Sequence, residues 1–280
     1  MDLSIFQNKD FFPRHVRDTL SAVSVDFKEK NLQIDISRQE GSNHMKAAVV
    51  LLLLYKKISD RSEYVFQLIK RSSKVKQGGD IGCPGGMLQP RQDNMLSAFL
   101  KTGMLPALRG RIARRIQNVD DETAKLIRLF LTTALREAWE EIGLNPMNTK
   151  FLGALPSSPL NMFARTIFPV VCITRRKFAY KLNPEVDKIL EIPLSFFFDG
   201  QNYAMLNIKT RSEENKEFFQ YQLPCVVIPD ERGNEDILWG ATFKIIQNFL
   251  SIISDSEVPS TYSSRILDKV LTSQYIFPRG

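Results

Sequence analysis

The 280 residues are 43% hydrophobic and 25% charged, which suits one large globular domain with additions and excludes wholesale disorder. Cys83, Cys172 and Cys225 are odd in number and scattered, with no Cys-x-x-Cys pair, and His15 and His44 are the only histidines. A disulfide framework, a zinc site and a histidine-based triad therefore have little material, and a reducing compartment is expected. The net charge of +7 hints at an anionic partner, yet much of it is local: Lys101, Arg109, Arg111, Arg114 and Arg115 fall between Asn94 and Val119 with no acid among them.

The N-terminus has no basic segment followed by an apolar stretch, so no secretory signal is read there. The longest apolar run, Ala47 to Tyr55, is too short to span a bilayer as a helix. A cytoplasmic location is the expectation.

Residues 1–44 are read as an N-terminal extension, with a helix from Phe12 to Val23 and then a polar stretch through Ser42-Asn43. Ala47 to Tyr55 is continuous, apolar and short, the pattern of a strand buried on both faces. A turn at Ser59 to Ser62 leads to a hairpin partner over Tyr64 to Lys70. Gln77 to Gly86 holds five glycines in ten residues, which disfavours helix and regular strand and permits close backbone approach to a ligand. Met95 to Gln117 is helical in pattern, broken near Gly103 to Pro106, and Leu108 to Ile116 is basic and amphipathic. Asp120-Asp121-Glu122 then supplies an N-cap and an acidic first turn for the next helix.

That helix carries Arg136-Glu137-Ala138-Trp139-Glu140-Glu141-Ile142-Gly143-Leu144. At 3.6 residues per turn, Glu137, Glu140 and Glu141 fall within about 100° of one another. Leu131, Leu135, Ala138 and Ile142 cluster on the opposite face with Trp139 flanking them, and Gly143 is the expected stop. Three like charges on one face cost stability unless a cation sits there, and hard divalent ions favour carboxylate oxygens. An exposed acidic face is the alternative. Downstream, Phe151 to Leu155 and Ile167 to Ile173 read as strands. Lys188 to Leu194 leads into a turn of helix, Phe218 to Ile228 gives one or two more strands, and Leu238 to Ile253 is an amphipathic helix. Residues 254–280 form a tail. The fold class is mixed α/β (α+β), with helices flanking a mostly antiparallel sheet.

The glycine loop and the Arg136 to Leu144 run together resemble the Nudix hydrolase signature. In that signature a Gly, five residues, a Glu and seven residues precede Arg-Glu-aliphatic-x-Glu-Glu-x-Gly-aliphatic. Further segments resemble the coenzyme A diphosphatase branch: Lys70-Arg71-Ser72, Gly79 to Pro84-Gly85-Gly86, Pro169-Val170-Val171, Asn183-Pro184-Glu185-Val186, Ile192-Pro193-Leu194 and Trp239-Gly240-Ala241-Thr242. The resemblance covers roughly residues 45–250, and the domain is placed at 45–253. It departs in two ways. Gly86 and Arg136 stand 50 positions apart where the signature would separate them by about 14, so a helical insertion, placed at 94–130, interrupts the motif. The signature's first Glu falls by strict spacing at Gln92, and Asp93 is assigned its loop-supporting role. The His-x-Gly usual before the glycine loop reads Gln77-Gly78-Gly79 here, so that histidine is missing.

The resemblance implies an α/β/α sandwich and Mg²⁺- or Mn²⁺-dependent cleavage of the diphosphate bond in a nucleoside diphosphate linked to another group, such as coenzyme A or its derivatives. It implies metal ligation by Glu137, Glu140, Glu141 and the Gly85 carbonyl. It also implies substrate contacts at Arg71, Gly85 and Gly86, and a structural stop at Gly143. Glu141 and Glu185, in no fixed order, are the candidates to orient or deprotonate water, with Glu140 and Arg136 in the same catalytic group and Arg136 as a brace. The alternatives are a Nudix-fold regulator that binds nucleotides without cleaving them, or a hydrolase acting on ADP-ribose, dinucleotides or RNA ends. Nucleic acid is disfavoured because Phe99 is the one aromatic near the basic insert. That insert is compatible with a cap over the site, with contact to a membrane surface or partner, or with a merely solvated helix pair, and a homodimer is compatible with the chain.

Overall fold

The computed structural model describes residues 3–101, 119–160, 164–174, 178–211, 218–230, 232–254, 258–259, 265–271 and 275. A short 3₁₀ turn at Leu3–Gln7 buries Phe6, and helix α1 (Phe12–Ala22) buries Phe12, Val16 and Leu20 along one stripe at four-residue spacing. A second helix, α2 (Phe27–Gln39), occupies the stretch expected to be merely polar. Its apolar residues do not keep helical spacing: Leu32 and Ile36 are exposed, while Phe27 and Ile34 are buried. Phe27 is the anchor, meeting Phe130 and Phe168 edge-on at 5.5 and 5.0 Å between ring centroids.

Strands β1 (Met45–Ile58) and β2 (Arg61–Arg71) form the expected hairpin, in the register Leu52↔Gln67, with Ser59 at φ 51° in the turn. The glycine-rich stretch is not wholly irregular, because it contains β3 (Ile81–Gly82) on β2 and β4 (Gly85–Met87) on β1. The glycines permit that pairing. Gly85 sits at φ 149°, and a Cβ there would lie 2.4 Å from the Ala48 carbonyl oxygen on β1.

Helix α3 (Pro90–Lys101) follows. The expected break near residues 103–106 and the basic helix at 108–116 lie outside the described residues. Helix α4 (Asp121–Ile142) begins within the interval 94–130 read as the insertion and runs without a break through the acidic motif. The Asp120 side chain accepts a hydrogen bond from the Thr123 amide at 3.0 Å and caps its start. Gly143 ends it in the left-handed region at φ 72°, where glycine carries no Cβ penalty.

Strands β5 (Thr149–Ala154), β6 (Ser158–Leu160) and β7 (Arg165–Thr174) come next, with β7 parallel to β1 in the register Val49↔Pro169. Strand β8 (Val186–Pro193) pairs with β2, and a 3₁₀ turn at Leu194–Phe198 follows it. The larger sheet has the order β3-β2-β1-β7-β5, with β4, β6 and β8 paired off that path. A second sheet, ordered β11-β10-β9-β12, is built from β9 (Tyr203–Arg211), β10 (Phe218–Pro229), β11 (Glu235–Trp239) and β12 (Ile266–Leu271), with α5 (Gly240–Ser254) between the last two. The region read as a tail thus contains a strand, paired parallel to β9.

Residues of α2 and α4 pack on one face of the larger sheet around Val50, Leu52, Phe168 and Val170. Residues of α1 and α5 pack on the other around Leu51, Leu53, Phe66 and Val171. The alternation of β1 residues between these two cores explains why it reads as continuously apolar. The helices on both faces give the expected α/β/α layering of a mixed sheet. The three cysteines are free and buried, and among the described residues no helix is long and apolar enough to cross a membrane.

Candidate active site

The glycine strand β4 and the acidic turn of α4 meet despite the insertion between them. Glu141 is 4% exposed, and its Oε2 accepts a hydrogen bond from the Gly85 amide at 2.9 Å. A Cβ on Gly86 would lie 2.5 Å from the Glu137 carboxyl, so that position admits only glycine without displacing the acid.

Arg136 organises the other carboxylates. Its Nε donates to Asp93 Oδ1 at 2.7 Å and its Nη2 to the Met87 carbonyl at 3.1 Å; the guanidinium also pairs with Glu137 at 2.9 Å and Glu140 at 3.1 Å. Asp93 is fully buried and also accepts from the Gln89 amide at 2.8 Å and the Thr133 hydroxyl at 2.9 Å. Gln92, the position given by strict motif spacing, is exposed. Arg136 thus joins α3, β4 and α4, and its side chain is 3% exposed.

One detail of the helical wheel needs correction: Trp139, expected to flank the buried face, is 63% exposed. The three acids differ in setting, with Glu141 buried against Gly85 and Glu137 and Glu140 turned toward Arg136. Among the described residues no three acidic, histidine or cysteine side chains converge as a ready metal cluster. The reason is local, since Arg136 precedes Glu137 directly and Glu140 by one turn and draws both.

Burial pushes the Glu141 carboxyl up to about 7; the Gly85 amide and Arg71 pull it down, and Glu137 and Glu185 push it further up. Burial likewise holds Glu137 above the ordinary carboxylate range, although Arg136 opposes the shift. Two desolvated carboxylates beside the Gly85-Gly86 backbone form an oxygen-rich donor set. Its chemistry fits a hard divalent cation.

Arg71 ends β2, and its charge reaches Glu141, Arg165 and Tyr275. Its Nε donates to the Lys76 carbonyl at 3.1 Å. Glu185 is exposed in a turn, its carbonyl accepting from the Ser72 amide at 2.8 Å, while the neighbouring Asn183 amide donates to the Glu141 carbonyl at 3.0 Å. The turn is therefore tied both to the residue after Arg71 and to the end of α4. Sequence reasoning missed Arg165, whose Nε is buried without a hydrogen-bond partner, and the group of Asp80, Lys269 and Tyr275 around Trp239. Only Trp239 carried a signal, through the Trp-Gly-x-Thr segment.

No family model matches the chain. It is 29% identical over 133 residues to an uncharacterized Nudix hydrolase NudL of Pectobacterium atrosepticum, covering 47% of this chain and 62% of that one. It is 24% identical over 207 residues to the NudL protein of Photorhabdus laumondii, covering 73% and 82% of the two chains. Over 88 residues it is 36% identical to the peroxisomal coenzyme A diphosphatase ndx-8 of Caenorhabditis elegans, covering 31% and 36%. The chain thus spans less than two thirds of the first and last of these relatives.

Proposed function

We propose that this chain is a Nudix hydrolase that cleaves the diphosphate bond of a nucleoside diphosphate linked to another group, with coenzyme A or a derivative as the leading substrate class. The observation that carries this reading is the Glu141–Gly85 contact. It joins the acidic helix to the glycine strand across the insertion, so the parts of the motif form one site.

In this reading Glu137, Glu140, Glu141 and the Gly85 carbonyl hold Mg²⁺ or Mn²⁺. When bound, the cation neutralises the diphosphate and polarises its phosphorus–oxygen bonds. The chain's residues do the rest. Arg136 holds Glu137 and Glu140 in place, with Asp93 buried behind it. Arg71 attracts a phosphate beside Glu141, and the Gly85-Gly86 backbone lets the substrate approach closely. Water attacks phosphorus in line, the bridging P–O bond breaks, and the water's proton passes to a carboxylate. In this reading Glu141 and Glu185 are the two candidates to take it. Burial holds the Glu141 carboxyl at about 7 in the metal-free chain, so the cation would displace its proton on binding.

The test is to assay purified protein with Mg²⁺ or Mn²⁺ against coenzyme A, ADP-ribose, NADH, dinucleoside polyphosphates and capped RNA. Hydrolysis of coenzyme A ahead of the others is expected. Folded protein that binds these compounds but turns over none of them would assign the chain to the non-catalytic nucleotide-binding class.

A further inference from the structure

The C-terminal strand reaches back to the loop that ends in the glycine strand. Asp80 lies in that loop, one residue before β3, and its carboxylate gathers donors from three places far away in sequence. Trp239 Nε1 at the end of β11 donates at 3.2 Å, Lys269 Nζ on β12 at 2.7 Å, and the Tyr275 hydroxyl to the other oxygen. The three donors also contact one another. Trp239 and Tyr275 lie 6.3 Å apart between ring centroids with planes 26° apart, and Lys269 Nζ sits 5.0 Å from the Trp239 centroid and 5.9 Å from that of Tyr275. Asp80 is 15% exposed and Lys269 24%, so the cluster is largely shielded from water.

The backbone of Asp80 leads directly to Arg71. The Arg71 amide donates to the Asp80 carbonyl at 2.9 Å, and the Gly79 amide returns a bond to the Arg71 carbonyl at 2.9 Å. These bonds continue the β2–β3 ladder by one residue pair, beyond Lys70↔Ile81. At that pair β2 carries an irregularity, between Lys70 and Arg71, where the pairing with β8 shifts. An arginine beside a bulge is held less firmly by the ladder, and to the local bond from its Nε to the Lys76 carbonyl the far strand adds a second restraint through Asp80.

We infer that Lys269 and Tyr275 are positioning residues for the diphosphate site: acting through Asp80, the C-terminal segment holds Arg71 where it meets the substrate's phosphate. This rests on the hydrolase reading for its substrate and deepens it by giving the C-terminal segment a part in substrate binding. Neither residue touches the reacting atoms. Their loss leaves the carboxylates of α4 in place and loosens only the arginine.

The experiment is a double-mutant cycle between Tyr275→Phe and Arg71→Ala, with Lys269→Met as a second partner for Arg71. Tyr275→Phe and Lys269→Met each raise KM roughly three- to tenfold with kcat unchanged, the signature of lost ground-state binding. In the Arg71→Ala background the same substitutions have no further effect on KM. Lys269→Arg, which keeps the charge, restores KM. Effects that persist in full without Arg71, or a KM unmoved by either substitution, overturn the inference. The same cycle, read by calorimetry as the affinity for inorganic diphosphate with Mg²⁺ present, needs no turnover. A failure of the hydrolase reading is thereby separated from a failure of this one.

Discussion

Arg136 Nε lies 2.7 Å from Asp93 Oδ1, a buried ion pair that joins two helices through residues 43 positions apart in the chain. Asp93 is fully buried and also accepts from the Gln89 amide and the Thr133 hydroxyl, so removing the acid breaks a buried ion pair and two further hydrogen bonds together. Asp93→Ala is expected to cost about 3–5 kcal/mol in urea unfolding. The exposed neighbour Gln92→Ala should stay within about 0.5 kcal/mol, and equal effects at the two positions would exclude Asp93 as the brace.

Glu141→Gln keeps the shape of the side chain and removes its charge. Turnover of the substrate found by the screen should fall about a hundred- to ten-thousandfold, with an unchanged circular-dichroism spectrum. Trp139→Phe is the control on the same turn, because the Trp139 side chain is exposed; its activity should match that of the parent.

Gly86→Ala tests the fit between strand and helix. The new methyl would press on the Glu137 carboxyl, 2.5 Å from where its Cβ must go, and the carboxyl is the far end of a flexible side chain. The fold therefore survives while the acid moves, and activity should drop on the order of a hundredfold. A crystal structure of the variant with Glu137 unmoved would refute this account.

Burial sets the pH response of the metal-free protein. The Glu141 carboxyl is pushed up to about 7 in the folded chain, above its ordinary unfolded value, so the folded state holds a proton that the unfolded state has released. The associated stability is complete below the unfolded pKa and is lost as pH rises through about 7. Thermal unfolding in chelator should show a lower midpoint at pH 8 than at pH 6, and Glu141→Gln should flatten that difference. Mg²⁺ should raise the midpoint more at pH 8, where the carboxylate is ionised and free to bind it.

Local chemistry made α4 legible: Asp120 as cap, Gly143 as stop, and apolar residues at helical spacing between them. The β1–β2 hairpin was legible for the same reason, with a turn at Ser59 between two apolar runs. Helix α2 was not, because its apolar residues alternate more like a strand and Phe27 supplies its anchor through contacts with distant rings. Strands β9, β11 and β12 were missed as well, since β12 is defined by pairing with a strand about sixty positions earlier. The glycine loop and the acids of α4 could be named from the sequence. That Glu141 would be buried and Glu140 exposed could not, because it depends on which side of α4 faces β4 and Arg136. Asp80 gave no signal at all, its side-chain partners lying 159 to 195 positions away.

The interval 102–118 divides the parts of the site between two lengths of chain. Gly85, Gly86 and Asp93 precede it, while Arg136 and the three glutamates follow it. Neither length carries a complete constellation, and the contacts that join them, Arg136 to Asp93 and Glu141 to Gly85, bring the halves into register. If the proposed hydrolysis holds, the site is in this sense a naturally split one whose halves are held together by a covalent tether. Severing the tether would turn hydrolysis into a direct report on whether the two fragments have found each other.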